Sequence, residues 1–505
     1  MRTINTVKNI IANISSVIIL TVLGFFTRKI FIDSLGVEYL GLNGLLQNVL
    51  GMLSLVEGGI GTSIVYNLYK PLANDDRPKI IALVQLYRKI YKYIALAVFA
   101  LSLCLYPFLD VFIKGGENLS YVSIVYFIFV ANNLVGYLMA DKWSLINSDQ
   151  KQYKLAKYTI SYQIILYAIK IGILLYFKSF VAYLAVEFIL SLIYNGVIIR
   201  TVNKLYPYIK TKTKYKVDHD TQKNIITNVK ALFLHSIGGY LLHSTDNIII
   251  STFIGVGVVG LYSNYILIVS QIKALTKPVL TSMKDSIGNL VAHDSVDKQY
   301  QIFKTIDLIN FFIVGIVIVI LYNTLTPFVI WWLGKDYILA ENIILVICIN
   351  YFVDEIRTSV MMYKYVSGIF TADKYVVFIT ATINLIVSII LVQYMGLIGT
   401  LLGTSIALLC TASWNWPRLV YKYTFKKNVS EYYLNYCIRI ALLAFCMFTT
   451  KYVIKFIIDD TFAFSHILIK GIISAIIFIF IFLLAYIKTP EFQYIKISIN
   501  NLIKR

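Results

Sequence analysis

The sequence predicts an all-α, polytopic membrane protein of about 14 transmembrane helices, with two six-helix lobes around a central cavity and two further helices at the C-terminal end. Three observations lead there. Of 505 residues, 58% are hydrophobic and only 14% charged, and the mean hydropathy is +0.74. A soluble core cannot hide that much apolar surface. Apolar runs of about 20 residues recur along the whole chain, each long enough to cross a bilayer as a helix. The segments between these runs alternate between strongly basic and nearly uncharged, as the two sides of a membrane require.

Two long helices come first, near residues 10–32 and 39–67. The opening "MRTINTVKN" carries two cations, leads into an apolar run and offers no small-residue cleavage site, so it reads as the start of an uncleaved span. Spans near 92–113, 120–140, 158–177 and 180–201 follow. A polar stretch from Val202 to Lys230, containing "YPYIKTKTKYKVDHDTQKN", is too short to fold alone and reads as a linker. Eight more spans are expected near 231–254, 258–281, 305–330, 342–363, 375–394, 397–417, 434–457 and 465–487. This divides the chain into an N-terminal lobe (1–202), a linker (203–230), a C-terminal lobe (231–425) and a final helix pair with a basic tail (426–505).

The net charge is +20, from 46 Lys and Arg against 26 Asp and Glu. In a soluble chain this would suggest nucleic acid. Here the cations lie in short segments between apolar runs, where they face anionic lipid and set topology, so no nucleic-acid partner is expected. With the N-terminus inside, about 35 Lys and Arg fall on the inner side and about five (Lys114, Lys178, Lys335, Lys451, Lys455) on the outer. Both termini are then cytoplasmic. Many of the 39 tyrosines lie near span ends, as an interfacial belt would. All five cysteines sit in apolar runs without metal-ligand spacing and are expected to be buried apolar residues. Enzyme motifs are missing: there is no phosphate-binding loop and no zinc spacing. Asp218-His219-Asp220 has an Asp-x-Asp pattern but lies in the short linker with no catalytic domain around it.

The chain repeats itself. "FIDSLGVEYLGL" (Phe31–Leu42) aligns with "ISTFIGVGVVGL" (Ile250–Leu261) at an offset of 219, matching Gly36, Val37, Gly41 and Leu42 to Gly255, Val256, Gly260 and Leu261. A six-helix repeat inserts both copies the same way up, which is a transporter architecture with its site at the lobe interface.

Charges inside the spans mark candidate sites, because each is costly unless it meets a cavity or a partner. Arg28 and Lys29 lie about 12 Å before the outer turn at Gly36 and either enter a cavity or snorkel to the headgroups. The repeat sets Asp246 near the level of Arg28 and Lys277 near that of Glu57, so these pairs are candidates for gates that close alternately. The alternative is that each charge pairs within its own lobe. Gly239, His243 and Asp246 form one helical stripe, with His243 either a proton relay or a hydrogen-bonding residue. Asn350, Asp354 and Arg357 form another, in which Asp354 and Arg357 can neutralise each other. No metal or cofactor site is expected, and a coupling H+ or Na+ is left open. In "LVEGGIGTSIVYNLYKPL", three glycines around Glu57 permit a bend or close packing.

"TVLGFFTRKIFIDSLGVEYLGLNGLLQNVL", "LSLVEGGIGTSIVYNLYKPLANDD" and "GLIGTLLGTSIA" together resemble the polysaccharide transporter (O-antigen flippase-like) family of the multidrug/oligosaccharidyl-lipid/polysaccharide exporter superfamily. The motifs cover about a tenth of the chain. The resemblance implies a flippase that moves undecaprenyl-diphosphate-linked oligosaccharide across the bacterial inner (cytoplasmic) membrane. Partner glycosyltransferases or a glycan polymerase would act around it, and the protein itself is expected to be a monomer. In related lipid II flippases a helix 1 arginine is read as binding the diphosphate, a role that carries over to Arg28. Glu57 aligns with a family acidic residue. A cation-coupled small-molecule or multidrug antiporter of the same superfamily is the alternative.

Overall fold

The structure is a computed structural model that describes residues 21–115, 119–149, 151–281, 283–369, 372–457 and 463–503. The "MRTINTVKN" segment and the first half of the first expected span lie outside them. Among the described residues, eleven helices are long and apolar enough to cross a membrane. The other three expected spans differ for visible reasons. The first begins outside the described residues, and those near 231–254 and 342–363 are each broken into two shorter helices. The described chain forms two compact units, one ending at Gly260 and the other beginning at Leu261.

In the first unit α1 (21–35) stops at Gly36, whose φ of 93° turns the chain into α2 (Val37–Leu53). The expected second span then breaks. A tight 3-10 turn, Ser54–Glu57, leads to Gly58 and Gly59, both left-handed at φ 54° and 79°, before α3 (Ile60–Ala73) resumes. Side chains other than glycine resist that geometry, so the glycines read from the sequence as a bend form a two-residue joint. Asp76 caps α4 (Arg77–Leu105), accepting from the Lys79 amide at 3.2 Å. A 3-10 turn and a short α5 (Leu109–Phe112) extend that span. The next three are α6 (Val122–Ser148), α7 (Ala156–Tyr176) and α8 (Phe180–Leu205).

The expected linker is shorter than its polar composition suggested. α9 (His219–His243) starts inside it, capped by Asp218. The remaining strand is held by Gln85, which donates to the Thr213 carbonyl (2.8 Å) and accepts from the Tyr215 amide (3.1 Å). α9 ends at His243, a break follows at Ser244 and Thr245, and α10 (Asp246–Phe253) begins anew. The stripe of Gly239, His243 and Asp246 therefore does not lie on one helix. α9 packs on α3 and α10 on α2, which is why this unit extends beyond the linker to Gly260.

The repeated motif has a structural counterpart. Where α2 meets the first turns of α11 (Val256–Thr281), a Cβ on Gly41 would overlap the Val256 carbonyl, and a Cβ on Gly260 would overlap the Val37 carbonyl. Val37 and Gly41 match Val256 and Gly260 in the repeat, so the contact is reciprocal. Only glycine lets two helix backbones come this close.

In the second unit α11 continues to α12 (Lys284–His293) and α13 (Val296–Leu333). α13 has 38 residues, about 57 Å at 1.5 Å per residue, far more than the ~30 Å hydrocarbon core needs. Its N-terminal part is held by rings, with Phe303 meeting Tyr363 (5.2 Å) and Phe425 (5.0 Å). The tenth expected span is α14 (Glu341–Glu355) and α15 (Thr358–Val366), broken at Ile356–Arg357. The break frees the carbonyls of Glu355 and Ile356, and Asn310 on α13 donates to both, at 3.1 and 2.8 Å. α16 (Val376–Met395) and α17 (Leu397–Cys410) form a tight hairpin, tied by Ser388 to the Thr400 carbonyl (3.0 Å) and Asn384 to Thr404 (2.9 Å). α18 (Ala412–Val420), α19 (Ser430–Ile457), α20 (Phe464–Tyr486) and α21 (Pro490–Ile503) complete the chain. Cys348 and Cys446 are buried as expected, but Cys104, Cys410 and Cys437 are exposed on apolar helix faces. Hydropathy identifies a helix that enters lipid; it does not identify the face that looks outward.

Candidate functional site

The charges read from the sequence fall into separate groups in the two units. In the first unit Glu57 ends the 3-10 turn at the Gly58–Gly59 joint. Its carboxylate accepts a hydrogen bond from the Tyr91 hydroxyl. Tyr91 stacks on Tyr87, with centroids 4.3 Å apart and planes at 6°, and Ser144 donates to Tyr87 at 3.0 Å. Tyr137 closes the group, 6.0 Å from Tyr91. A Cβ on Gly61 would come within 2.5 Å of the Tyr91 hydroxyl and 2.7 Å of the Glu57 carboxylate, so the small residue makes room for this cluster.

One turn along the same α4–α6 seam, Arg88 holds buried Asp141 through Nε (3.0 Å) and Nη2 (2.8 Å), with Lys142 3.6 Å from the same oxygen. The fourth expected span ends near residue 140, just before Asp141 and Lys142. α6 instead runs on to Ser148, and Tyr137, Asp141, Ser144 and Ser148 form its polar stripe at helical spacing. That spacing was the available signal. A cavity of about 340 Å³ opens beside the pair, lined by Arg88, Asp141, Lys142, Asn203 and Lys210.

Arg28 is half-buried on α1. The next α1 turn packs Phe31 edge-on to Phe180 (5.6 Å) and Tyr183 (5.2 Å) of α8. Tyr183 lies within electrostatic reach of Arg28 and carries Lys170 over its ring at 4.1 Å. Lys170 also bonds Glu187 at 2.5 Å. Lys29 points away from this group: it is half-exposed and pairs with Asp33 one turn on, at 3.8 Å. Asp246 occupies the first turn of α10, where a carboxylate favours the helix dipole. The side chain of His243 lies outside the described residues.

In the second unit Lys277 is exposed on α11. Lys273, one turn earlier and missed from the sequence, is half-buried and makes the ion pairs: 2.7 Å to Asp354 and 3.1 Å to Glu355. Arg357 reaches Asp354 at 2.9 Å and lies over the Trp416 ring at 5.1 Å. Two cations and two carboxylates thus close on one another across the α14–α15 break. A separate buried pair joins Arg439 on α19 to Asp307 on α13 at 2.6 Å, and Ser359 donates to the other Asp307 oxygen at 2.5 Å. Lys364 pairs with buried Asp373. These groups neutralise themselves, which gives them a structural character. Among the described residues no cluster of His, Cys, Asp and Glu could hold a metal ion.

No family model matches the sequence, and no curated protein matches it. The fold does match solved structures. It superposes on the lipid II flippase MurJ, in an inward closed conformation, over 94% of this chain and 98% of the other, with a TM-score of 0.67 and 16% identity. An inward-facing multidrug resistance MATE family transporter of the MOP superfamily matches over 83% of this chain and 99% of its own, with a TM-score of 0.57 and 14% identity. The Vibrio cholerae MATE transporter VcmN matches over 85% and 99%, with a TM-score of 0.55 and 12% identity. The chain therefore shares the fold of these structures.

Proposed function

We propose that this protein is a flippase for an undecaprenyl-diphosphate-linked oligosaccharide. It moves the lipid from the inner to the outer leaflet of the bacterial cytoplasmic membrane by alternating access, for surface polysaccharide biosynthesis. The likeness to a lipid II flippase over 94% of the chain carries this reading. The MATE structures leave about a sixth of the chain unmatched, and the flippase about a twentieth. The cargo has a lipid tail, a diphosphate and a polar glycan. Arg28 supplies a half-buried guanidinium suited to phosphate oxygens. The Gly58–Gly59 joint with Glu57 on it supplies a place for the second span to flex.

The same joint supports a second reading, a cation-coupled small-molecule or multidrug antiporter, since a carboxylate there could exchange a cation for a cationic drug. Sidedness separates the two. In cells depleted of the protein, an impermeant glycan-modifying enzyme is added to spheroplasts. Under the flippase reading the lipid-linked oligosaccharide accumulates protected in the inner leaflet, and Arg28→Ala fails to relieve the block while accumulating normally in the membrane. An unchanged distribution of the lipid overturns the reading and brings the antiporter forward.

A further inference from the structure

A second cavity, of about 660 Å³, lies in the second unit at one end of its helices. It is enclosed by the C-terminal turns of α13 and α19, the start of α14 and the first turns of α20. Its cations are Lys451, Lys455 and Lys470, and its one carboxylate is Glu341. Glu341 is already engaged, bonded to Lys451 and accepting from Tyr322 at 2.8 Å. That leaves two positive charges for the cavity.

Lys470 is the residue that demands an explanation. It is 7% exposed. It lies on the buried stripe of α20, with Ile467, Ser474, Phe478 and Phe482, the face that packs on α13. Among the described residues it makes no hydrogen bond or ion pair. Its stem is buried while its ammonium, without a partner among the described residues, opens on the cavity that it lines. Below it, Asn323 donates to Thr450 (2.9 Å) and Ser474 (3.1 Å), a polar floor within an otherwise apolar bundle. The N-termini of α14 and α20 also lie at this end, and neither has a side-chain cap, so their free amides add positive potential.

The charge distribution makes the site more unusual. Only about five cations are assigned to the outer side of the whole chain, and two of them, Lys451 and Lys455, converge on this cavity. Topology alone would keep cations off that side. Beyond the cavity the helices present apolar side chains to their surroundings, among them Phe448 and Tyr452 on α19 and Leu468 and Ile472 on α20.

We propose that this cavity binds the phosphate of a membrane lipid in the outer leaflet, with Lys470 and Lys455 on the phosphate oxygens and the acyl or prenyl chain lying along the exposed faces of α19 and α20. Lysine serves as a mobile point charge for such an anion. The site requires only a bilayer around the chain, so it stands or falls apart from the flippase reading.

The test uses purified full-length protein in nanodiscs of phosphatidylglycerol and phosphatidylcholine, with retained lipid measured by native mass spectrometry after mild delipidation. Wild type retains phosphatidylglycerol over phosphatidylcholine. Losing one charge-assisted bond corresponds to about tenfold, so Lys470→Gln binds phosphatidylglycerol about tenfold more weakly, while Lys470→Arg keeps most of the affinity. Lys455→Gln, at an exposed position, loses less and decides the matter if Lys470→Gln does not fold. Undecaprenyl diphosphate is then added as competitor. If it displaces phosphatidylglycerol at equal or lower concentration, the phosphate comes from a polyprenyl lipid; if it does not, from a resident phospholipid. Equal retention of the two phospholipids by wild type, or undiminished phosphatidylglycerol in both glutamine variants, overturns the proposal.

Discussion

Asp307→Asn tests whether the second unit depends on its buried charges. The Arg439 and Asp307 side chains are 7% and 6% exposed, with nitrogen and oxygen 2.6 Å apart. The amide keeps the size of the carboxylate and its oxygen can still accept from Ser359, but its NH2 then faces the Arg439 donor, so the charge and one acceptor are lost together. The Arg439 guanidinium is then left buried without its counter-charge, beside the Tyr486 and Tyr432 hydroxyls and over the Phe311 ring at 5.2 Å. Removing one partner of a buried pair costs about 3–5 kcal/mol, most of it the desolvation of the orphaned ion. Arg439→Met should cost a similar amount by orphaning Asp307. Replacing both, as Asp307→Leu with Arg439→Met, removes two desolvation costs together and should return stability to within about 1 kcal/mol of wild type or above it. The assay is thermal unfolding in detergent, followed by tryptophan fluorescence and by the monodisperse fraction on gel filtration. With the Asp307→Leu single variant added, the double-mutant cycle of Asp307→Leu and Arg439→Met isolates the pairwise term. If either single variant is as stable as wild type, or if the losses add in the double variant, the pair is not what holds α13 to α19 and the reasoning fails.

Three other outcomes are expected. Gly41→Val forces a side chain onto the Val256 carbonyl and should cost about 1–3 kcal/mol or prevent folding; Gly260→Val should do the same, and a variant as stable as wild type would show that this crossing readily separates. Asn310→Leu leaves the carbonyls of Glu355 and Ile356 unpaired and should cost about 1–3 kcal/mol, with increased amide exchange at the α14–α15 break as the local signature. Asp218 accepts from the Thr221 hydroxyl (2.7 Å) and amide (3.0 Å) and pairs with Lys79 (3.0 Å), and these bonds hold its carboxyl well below the usual range. A depressed folded pKa stabilises above the unfolded value of about 4 and is lost as pH falls through the folded value. Proteolysis of residues 206–218 should therefore rise on acidification in wild type. In Asp218→Asn it should already be high at neutral pH and vary little.

The sequence made the membrane class legible because a span is a local property: about 20 apolar residues can be counted without knowing what they touch. The glycine joint beside Glu57 was legible for the same reason, since φ preference belongs to the residue. The charge partners were not. The repeat sets Lys277 near the level of Glu57, but it carries no sign that the Glu57 carboxylate also takes Tyr91, 34 residues away on α4. Lys277 was chosen over Lys273 with no way to know which side of α11 would be buried. Arg439 and Asp307 lie 132 residues apart in two different expected spans, and nothing in either apolar run marks the other as its partner. A buried ion's partner is set by the packing of distant helices, and hydropathy carries no record of it.

The two interrupted spans carry this point further. Both the 231–254 and the 342–363 runs are apolar enough to read as single helices, and both break where polar residues cluster: Ser244-Thr245-Asp246 in one, Asp354-Glu355 in the other. A broken helix inside a membrane needs donors for the carbonyls it frees. At the second break that donor is Asn310 on α13, and Lys273 with Arg357 balances the carboxylates beside it. Such a break is stable only after the neighbouring helices have supplied those partners. The α14–α15 joint therefore depends on partners that α11 and α13 supply. Its flexibility is then governed by Asn310 and Lys273, and not by the intrinsic propensity of the residues at the break.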